Sequence, residues 1–346
     1  MHYIFEYGLF LAQAVTLVGA VLILVAGIVA IGQRNRTEQH EGHLEIRKLN
    51  DKYRHIGESI EAVACEEEEL KQRRKARRKE EKQKAKARKG EEGKSRPRLF
   101  VLGFDGDMKA SATDNLREEI TAILGQAQTG DEILVRLESP GGLVHGYGLA
   151  ASQLRRIRDA GIPLTVAVDK VAASGGYMMA CVADRIIAAP FAVIGSIGVL
   201  AQLPNFHRLL QKHDIDFELF TAGEYKRTIT MFGENTDKGR AKFVQELEDT
   251  HVLFKEFVSA NRPALDVAAV ATGEIWYGSQ ALDNGLVDAL QTSDDFIQQQ
   301  LKERDVFDLR FVHKKNWQEK LGLATESALE RTFLKIWQQG SDRPRL

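Results

Sequence analysis

The sequence predicts an α/β protein built on a largely parallel, buried sheet. The first observation is that, from Leu99 onwards, short apolar runs rich in β-branched residues alternate with segments of helical length. The second is that glycine pairs form turns near the ends of some of these runs, at 141–142 and 175–176. The hydrophobic fraction, 43% of the 346 residues, is ordinary for a chain with a packed core. Strands and helices that alternate in this way build parallel sheets.

Residues 1–32 are predicted to be a membrane anchor. Gly8 to Gly32 is almost uninterrupted apolar sequence, and about 20 such residues at ~1.5 Å each cross the ~30 Å hydrocarbon layer. A cleaved signal peptide is the alternative. The length of the run, the absence of Lys or Arg before it and the lack of a clear cleavage site argue against that alternative. Arg34, Arg36 and further basic residues follow the run, so the positive-inside rule favours a cytoplasmic location for the rest of the chain.

Residues 33–98 are predicted to form a charged tether that is either a solvated helix or disordered. The region has few aromatic residues, and Lys, Arg, Glu and Gln dominate 71–89. Its basic residues, among them Arg73 and Arg77, could contact anionic lipid headgroups. Nucleic-acid binding is the alternative, but the aromatic side chains that stack on bases are missing here. We therefore expect no nucleic-acid partner.

Residues 99–313 are predicted to be the folded domain, followed by a C-terminal tail at 314–346 with a helix at 328–338. The predicted strands are Leu99–Phe104, Ile133–Leu137, Leu164–Val168, Phe217–Thr221 and Val306–Val312. The predicted helices are Asp114–Ala127, Leu143–Ile157, Tyr177–Ala183, Phe206–Lys212, Gly278–Leu282, Phe296–Lys302 and a long one from a Thr236 cap to Ala260.

The apolar stretch from Ile186 to Leu203 resembles a second membrane span in its composition. Pro190, Gly195 and Gly198 interrupt it and leave pieces of strand length. The sequence therefore favours a buried strand-turn-strand over a second span.

Ser174 is the candidate nucleophile. It lies in an Ala-Ser-Gly-Gly sequence where an apolar run of strand length gives way to a helix-compatible run. The first turn of a helix exposes backbone N–H groups and a positive dipole end, so the amide of Gly175 could stabilise an oxyanion. The alternative is a tight turn in which Ser174 only caps the helix.

A serine nucleophile needs a base, and the sequence alone does not single one out. The candidate histidines are His145, His207, His213 and His251. A lysine can serve if burial lowers its pKa towards neutrality. Lys226 lies in a glycine-led loop after a predicted strand, whereas Lys170 is expected to point away from Ser174.

The sequence carries no sign of a cofactor or metal. No Cys/His cluster has zinc-ligand spacing and no phosphate-binding GxxxxGK[ST] loop is present. Cys65 and Cys181 do not form a disulfide framework, and reduced thiols are expected for both.

Four ordered motifs resemble the signal peptide peptidase A family, and the layout of the whole chain resembles its SohB branch. The motifs are Ser139-Pro140-Gly141-Gly142, Ala172-Ala173-Ser174-Gly175-Gly176-Tyr177, Gly195-Ser196-Ile197-Gly198 and Tyr225-Lys226. The resemblance covers about Leu99 to Phe311. It implies a ClpP/crotonase-like α/β fold and a membrane-anchored serine endopeptidase that uses a Ser/Lys dyad.

The resemblance also implies roles for individual residues. Ser174 would be the nucleophile and Lys226 the general base. The oxyanion hole would consist of Gly142 and Gly175, with Gly141 as an alternative donor. Ser196 would support the lysine. Arg227 departs from the small residue expected after Lys226, which bears on the shape of the lysine pocket.

For partners, the resemblance implies a homo-oligomeric ring whose dyad is shared between neighbouring subunits. It also implies a bacterial inner-membrane location and apolar peptide substrates, such as signal-peptide remnants or unfolded membrane-protein fragments. It allows the catalytic domain on either face of the membrane, while the charges near the anchor favour the cytoplasm. Two alternatives stay open: an acyl-CoA enzyme that shares the fold, and a membrane scaffold without activity.

Overall fold

The structure is a computed structural model, and it describes residues 42–90 and 96–313. Residues 45–310 form one compact unit. The described residues 42–44 and 311–313 belong to a second unit. The predicted anchor at 1–32 and the predicted tail helix at 328–338 lie outside the described residues.

The described chain alternates strands and helices, which confirms the predicted α/β class. The strands are β1 (Gly42–Lys48), β2 (Arg98–Asp105), β3 (Glu132–Glu138), β4 (Leu164–Val168), β5 (Val171–Ala173), β6 (Arg185–Ala188), β7 (Val193–Gly195), β8 (Ile275–Tyr277), β9 (Ala289–Leu290) and β10 (Asp305–His313). The helices are α1 (Leu49–Ala64), α2 (Glu67–Gly90), α3 (Thr113–Leu124), α4 (Val144–Asp159), α5 (Gly175–Ala180), α6 (His207–Lys212), α7 (Asp237–Asn261), α8 (Val267–Val270), α9 (Gly278–Asp283) and α10 (Ser293–Gln300).

The main sheet has seven strands in the order β1-β10-β2-β3-β4-β6-β9. From β10 to β9 every neighbouring pair is parallel. A smaller sheet, in the order β5-β7-β8, pairs β5 with β7 in parallel and β7 with β8 antiparallel. In open parallel sheets, ligands bind beyond the carboxyl ends of the strands, and the turn at 139–142 follows the carboxyl end of β3.

The core lies on both faces of the main sheet, as parallel strands require. All five residues of β4 are buried. One cluster of buried side chains packs on strands β2, β3, β4, β6 and β10: Leu49, Leu99, Val101, Leu134, Ala167, Ile187, Phe296, Ile297 and Val306. On helix α3, Leu116, Ile120 and Ile123 are all buried and form its apolar face.

The predicted strand-turn-strand at 186–203 is confirmed by β6 and β7. Among the helices of the described ranges, none combines the length and the apolar character that crossing a bilayer requires. Thr236 caps α7 as predicted, because its side chain accepts a hydrogen bond from the Gly239 N–H.

The predicted strand at Phe217–Thr221 is wrong. The segment forms neither strand nor helix, and Phe217 and Phe220 are exposed. A strand needs a neighbour that satisfies its backbone groups, and within the described ranges no strand pairs with this segment. Phe217 packs locally instead, with its ring centroid 5.8 Å from that of Phe232.

The region predicted as a tether contains the strand β1 and the helices α1 and α2. Leu49 at the start of α1 is buried in the core cluster. Asn50 donates a 3.0 Å hydrogen bond to the Arg304 carbonyl and accepts one of 2.7 Å from the Val306 N–H. The start of α1 is therefore attached to the domain, a contact that the polar composition of the region did not indicate.

Candidate active site

Ser174 lies at a strand-to-helix junction, as predicted, but the strand directly before it is β5, which was not predicted, and the helix α5 begins at Gly175 rather than at Tyr177. Its backbone has φ 53° and ψ −116°, a conformation that is costly for a residue with a side chain. The Ser174 N–H donates a 2.7 Å hydrogen bond to the carbonyl of Gly195, which holds the strained turn in place. The side chain makes no capping hydrogen bond to α5. The hydroxyl of Ser174 therefore does not cap the helix, which was the alternative role for this serine.

The turn at 139–142 packs directly on Ser174. Gly141 has φ +90°, and a Cβ added there would lie 2.8 Å from the Ser174 Cβ and 2.8 Å from the Gly175 nitrogen. Only glycine fits this combination of positive φ and close approach. The N–H of Gly141 donates a 3.1 Å hydrogen bond to Ser139 Oγ. This amide is therefore occupied by a partner inside the protein.

The amides of Gly142 and Gly175 differ from that of Gly141. Within the part of the chain that the structure describes, neither amide has a hydrogen-bond acceptor. The Gly175 amide belongs to the first turn of α5, where the helix itself supplies no acceptor. Both amides, one next to Ser174 in sequence and one in the turn that packs on it, are thus without an internal acceptor, and amides of this kind can stabilise an oxyanion.

Ser174, Gly142 and Gly175 line one cavity of about 780 Å³. Most of the other lining residues are apolar: Met108, Pro140, Leu143, Val144, Met178, Val199, Leu200, Leu253, Phe254 and Phe257. An apolar wall with a few convergent polar groups is typical of a binding site for an organic ligand. The cavity therefore provides space for an apolar substrate next to the serine.

Ser196 lines the same cavity. It also has a positive φ, 51°, and its N–H donates a 2.7 Å hydrogen bond to the Glu274 carbonyl. The preceding residue, Gly195, accepts the Ser174 N–H. The two serine turns are therefore joined through the backbone.

Lys226 is exposed and does not line the cavity. Its loop is attached to the start of α7 by a 2.6 Å ion pair between Glu224 and Lys238. The Tyr225 ring lies 5.8 Å from the ammonium of Lys238 and 5.4 Å from that of Lys242. A single copy of the chain thus does not bring Lys226 into the cavity with Ser174, and the Ser/Lys dyad stays a prediction.

Of the other candidate bases, all of which lie in the described ranges, His251 lines the cavity and the rest do not. Lys170 binds Glu138 at 2.9 Å, and this hydrogen bond and charge raise the pKa of the lysine above its ordinary value, so the amine stays protonated at neutral pH and cannot accept a proton. His251 lines the cavity, with Nε2 3.2 Å from the Ile197 carbonyl oxygen. A carbonyl only accepts, so Nε2 carries the proton and Nδ1 is the free acceptor of the neutral ring. The remaining candidates, His145, His207 and His213, do not line the cavity.

Tyr147 is a buried neighbour of the 139–142 turn that the sequence did not reveal. It is fully buried on α4, and its hydroxyl lies 2.5 Å from Ser139 Oγ and donates a 2.8 Å hydrogen bond to the Asp107 carbonyl. Burial raises the pKa of the phenol, so the hydroxyl stays protonated. No local pattern in the sequence singled it out, because its partners Ser139, Asp107 and Gly175 lie on other segments.

Among the described residues, no group of three or more His, Cys, Asp or Glu side chains is arranged to hold a metal ion. The polar groups that line the cavity include the Ser174 hydroxyl in its strained turn, the Gly142 and Gly175 backbones, the His251 ring and the hydroxyls of Ser196, Thr250 and Thr272.

Comparison with known proteins gives consistent matches. Residues 2–154 match the model of the peptidase family S49 N-terminal region, and residues 156–306 match that of peptidase family S49. A protein of Haemophilus influenzae named "Probable protease SohB" is 54% identical over 331 residues, which is 93% of each chain. An Enterococcus faecium protein whose name associates it with signal peptide peptidase SppA is 28% identical over 239 residues, 65% of this chain and 69% of that one. A solved structure of a membrane-bound stomatin-specific protease has a TM-score of 0.42 and 13% identity, covering 66% of this chain and 97% of that one.

Proposed function

Because the chain belongs to peptidase family S49 and is a peptidase, we propose that it is a membrane-anchored serine endopeptidase with a Ser174/Lys226 dyad. The observation that carries the proposal is the position of Ser174. A serine held at positive φ, with its hydroxyl not used as a cap, lines an apolar cavity together with Gly142 and Gly175, whose amides have no internal acceptor. Backbone strain of this kind persists where the surrounding structure requires it, often at active sites.

In the proposed reaction, Ser174 Oγ attacks the carbonyl carbon of a peptide bond while Lys226 accepts the hydroxyl proton. The carbonyl oxygen becomes an oxyanion, which the amides of Gly142 and Gly175 stabilise. Lys226 then gives the proton to the leaving amine, and an acyl-enzyme remains on Ser174. Water, deprotonated by the same lysine, hydrolyses the ester and restores the serine.

We propose that Lys226 enters the cavity of a neighbouring subunit. A lysine acts as a base only where a water-poor pocket lowers its pKa, and in a single copy Lys226 is exposed. The segment around it also exposes apolar side chains: Phe206, Phe217, Leu219, Phe220, Tyr225 and Phe232. An exposed apolar surface of this extent suits an interface between subunits. A second copy of this chain is the proposed occupant, in a homo-oligomeric ring.

The proposed substrates are apolar peptide segments, such as signal-peptide remnants or unfolded membrane-associated polypeptides. The apolar wall of the cavity, with Leu143, Met178 and Phe254, supports this class of substrate. The apolar sequence from Gly8 to Gly32 supports an anchor that would hold the chain at the bacterial inner membrane. The basic residues that follow it favour the cytoplasmic face.

The experiment that tests the function is labelling of the detergent-solubilised full chain with a fluorophosphonate probe, together with cleavage of an apolar reporter peptide. The wild type is expected to be labelled and to cleave the peptide, and Ser174→Ala to do neither. Ser152→Ala is the control, because that serine is exposed on α4 and its hydroxyl only donates to the Gly148 carbonyl. Labelling or cleavage that persists in Ser174→Ala would overturn the assignment of the nucleophile.

A further inference from the structure

We propose that Ser139 and Tyr147 are positioning residues that hold both halves of the oxyanion hole at once. The inference rests on the proposed function, because it takes the amides of Gly142 and Gly175 as the groups that stabilise the oxyanion. Neither Ser139 nor Tyr147 lines the cavity. Their effect would therefore reach the substrate only through the backbone that they hold.

The two side chains form a chain of hydrogen bonds in which the donor and the acceptor of each bond can be assigned. The Asp107 carbonyl can only accept, so the single proton of the Tyr147 hydroxyl is donated to it, at 2.8 Å. Ser139 Oγ, 2.5 Å from the Tyr147 hydroxyl, must then be the donor of that bond. Its lone pair accepts the Gly141 N–H at 3.1 Å. Each hydroxyl donates once and accepts once, and such chains strengthen their own members.

The hydrogen bonds of Ser139 and Tyr147 determine which amide of the 139–142 turn is available to a ligand. Because Ser139 Oγ binds the N–H of Gly141, the next amide, that of Gly142, is the one left for a ligand. If Ser139 Oγ lost its own acceptor, it could turn away and release Gly141. The peptide planes on both sides of Gly141 would then be free to rotate, since glycine tolerates many conformations.

The ring of Tyr147 reaches the other half of the oxyanion hole. A Cβ added to Gly175 would collide with Cγ, Cδ2 and Cβ of Tyr147, so the ring packs against the Gly175 backbone. A Cβ added to Gly106 would collide with both hydroxyl oxygens of the Ser139–Tyr147 pair. Gly106 therefore leaves the space that the two hydroxyls occupy.

The backbone of Ser139 is attached to the strand that carries the nucleophile. Its N–H donates a 2.8 Å hydrogen bond to the Val171 carbonyl, and its carbonyl accepts a 3.0 Å bond from the Ala173 N–H. Both Ser139 and Tyr147 have no measurable exposure. One buried pair thus connects the turn at 139–142, strand β5 and the first turn of α5.

The test compares Tyr147→Phe, which keeps the ring and removes the hydroxyl, with Tyr177→Phe as the matched control. Tyr177 is another fully buried tyrosine, and its hydroxyl donates a 3.0 Å bond to Leu286, away from the 139–142 turn. We expect Tyr147→Phe to lower kcat by about 10- to 100-fold with little change in KM, because misplaced donors weaken transition-state binding. The rate of fluorophosphonate labelling should fall similarly. The control variant should keep kcat within about threefold.

Ser139→Ala provides a second variant with the same expectation, and it keeps the inference testable if Tyr147→Phe does not fold. The double variant should lose no more kcat than the worse single one, because the two hydroxyls act as a unit. The positioning role would be overturned if both single variants kept full kcat, or if they lost no more kcat than Tyr177→Phe does. It would also be overturned if the losses of kcat added up in the double variant. Since the function is tested separately by Ser174→Ala, activity that disappears there but persists in Tyr147→Phe would refute this inference alone.

Discussion

Gly141 and Ser174 are in direct contact, and no side chain can be inserted between them. A Cβ on Gly141 would lie 2.8 Å from the Ser174 Cβ and 2.8 Å from the carbonyl oxygen of Ala173. The backbone of Gly141 also has φ +90°, which favours glycine on its own account. The position therefore carries two separate requirements, one for conformation and one for space.

Gly141→Ala is expected to reduce kcat/KM for an apolar reporter peptide by about 100-fold, because even a small displacement of reacting groups costs that much. It should also lower the free energy of unfolding by about 1–3 kcal/mol through backbone strain. Gly161→Ala is the matched control: Gly161 has φ +72°, but an added Cβ there would meet nothing within 4 Å. Equal effects of both variants on kcat/KM would contradict a role for the contact with Ser174.

The parts of the fold that the sequence predicted are those with local signals. Strand β4 coincides with the predicted Leu164–Val168, because a short, fully buried apolar run leaves few alternatives. The start of α7 was predicted from Thr236, whose capping bond needs only residues three positions apart. The strand-to-helix junction at Ser174 was predicted because an apolar run of strand length gives way there to a helix-compatible run, which is a local signal.

The features that the sequence did not reveal depend on contacts between distant segments. The ring of Tyr147 meets Gly175, 28 positions later, and no pattern within one helix could indicate that. Phe217–Thr221 has the composition of a strand but lacks a strand to pair with, and pairing is a property of the fold. Whether Lys226 meets Ser174 depends on a second subunit in our proposal, so a single sequence could not decide it.

Asp131 and Arg98 provide a test of stability away from the cavity. The Asp131 side chain is only 3% exposed, and it accepts hydrogen bonds from the Arg98 guanidinium at 2.5 Å and from the Gln128 N–H at 2.8 Å. Burial alone would raise the pKa of Asp131, but the hydrogen bonds and the charge of Arg98 outweigh burial and lower the pKa below its ordinary value. The carboxylate is thus stabilised in its charged form by folding.

Asp131→Asn should lower the free energy of unfolding by about 2–4 kcal/mol at pH 7, since it breaks a buried pair. The unfolded pKa of an aspartate is about 3.9, and the folded pKa is lower. The stability that the charged Asp131 carboxylate contributes is therefore fully present above about pH 5, and it is lost as the pH falls through the pKa of the folded state. Urea denaturation of the detergent-solubilised chain at several pH values measures this difference.

Asp159→Asn is the control for that experiment, because Asp159 pairs with Arg155 on the surface, where the two side chains are 62% and 55% exposed. An exposed pair of this kind contributes about 0.5 kcal/mol or less. If Asp131→Asn behaved like Asp159→Asn at pH 7, or if its loss of stability did not shrink in acid, folding would not stabilise the charged form of Asp131.

Lys226→Ala is expected to reduce turnover by at least about 10³-fold, because a serine hydroxyl without its base is a weak nucleophile. Lys170→Ala should retain activity, since that lysine is paired with Glu138 and has a raised pKa. His251→Ala tests the competing candidate for the general base, because His251 lines the same cavity as Ser174. Loss of turnover in His251→Ala together with normal turnover in Lys226→Ala would move the role of base to the histidine.

A mixing experiment tests whether the dyad is shared between subunits, as the exposed position of Lys226 leads us to propose. Ser174→Ala and Lys226→Ala are each expected to be inactive when expressed alone. When they are co-expressed in equal amounts, random assembly would pair an intact serine with an intact lysine at about one quarter of the sites. Peptide cleavage should then recover to about one quarter of the wild-type rate per chain. A site completed within one subunit would give no recovery, because every subunit then lacks one of the two groups.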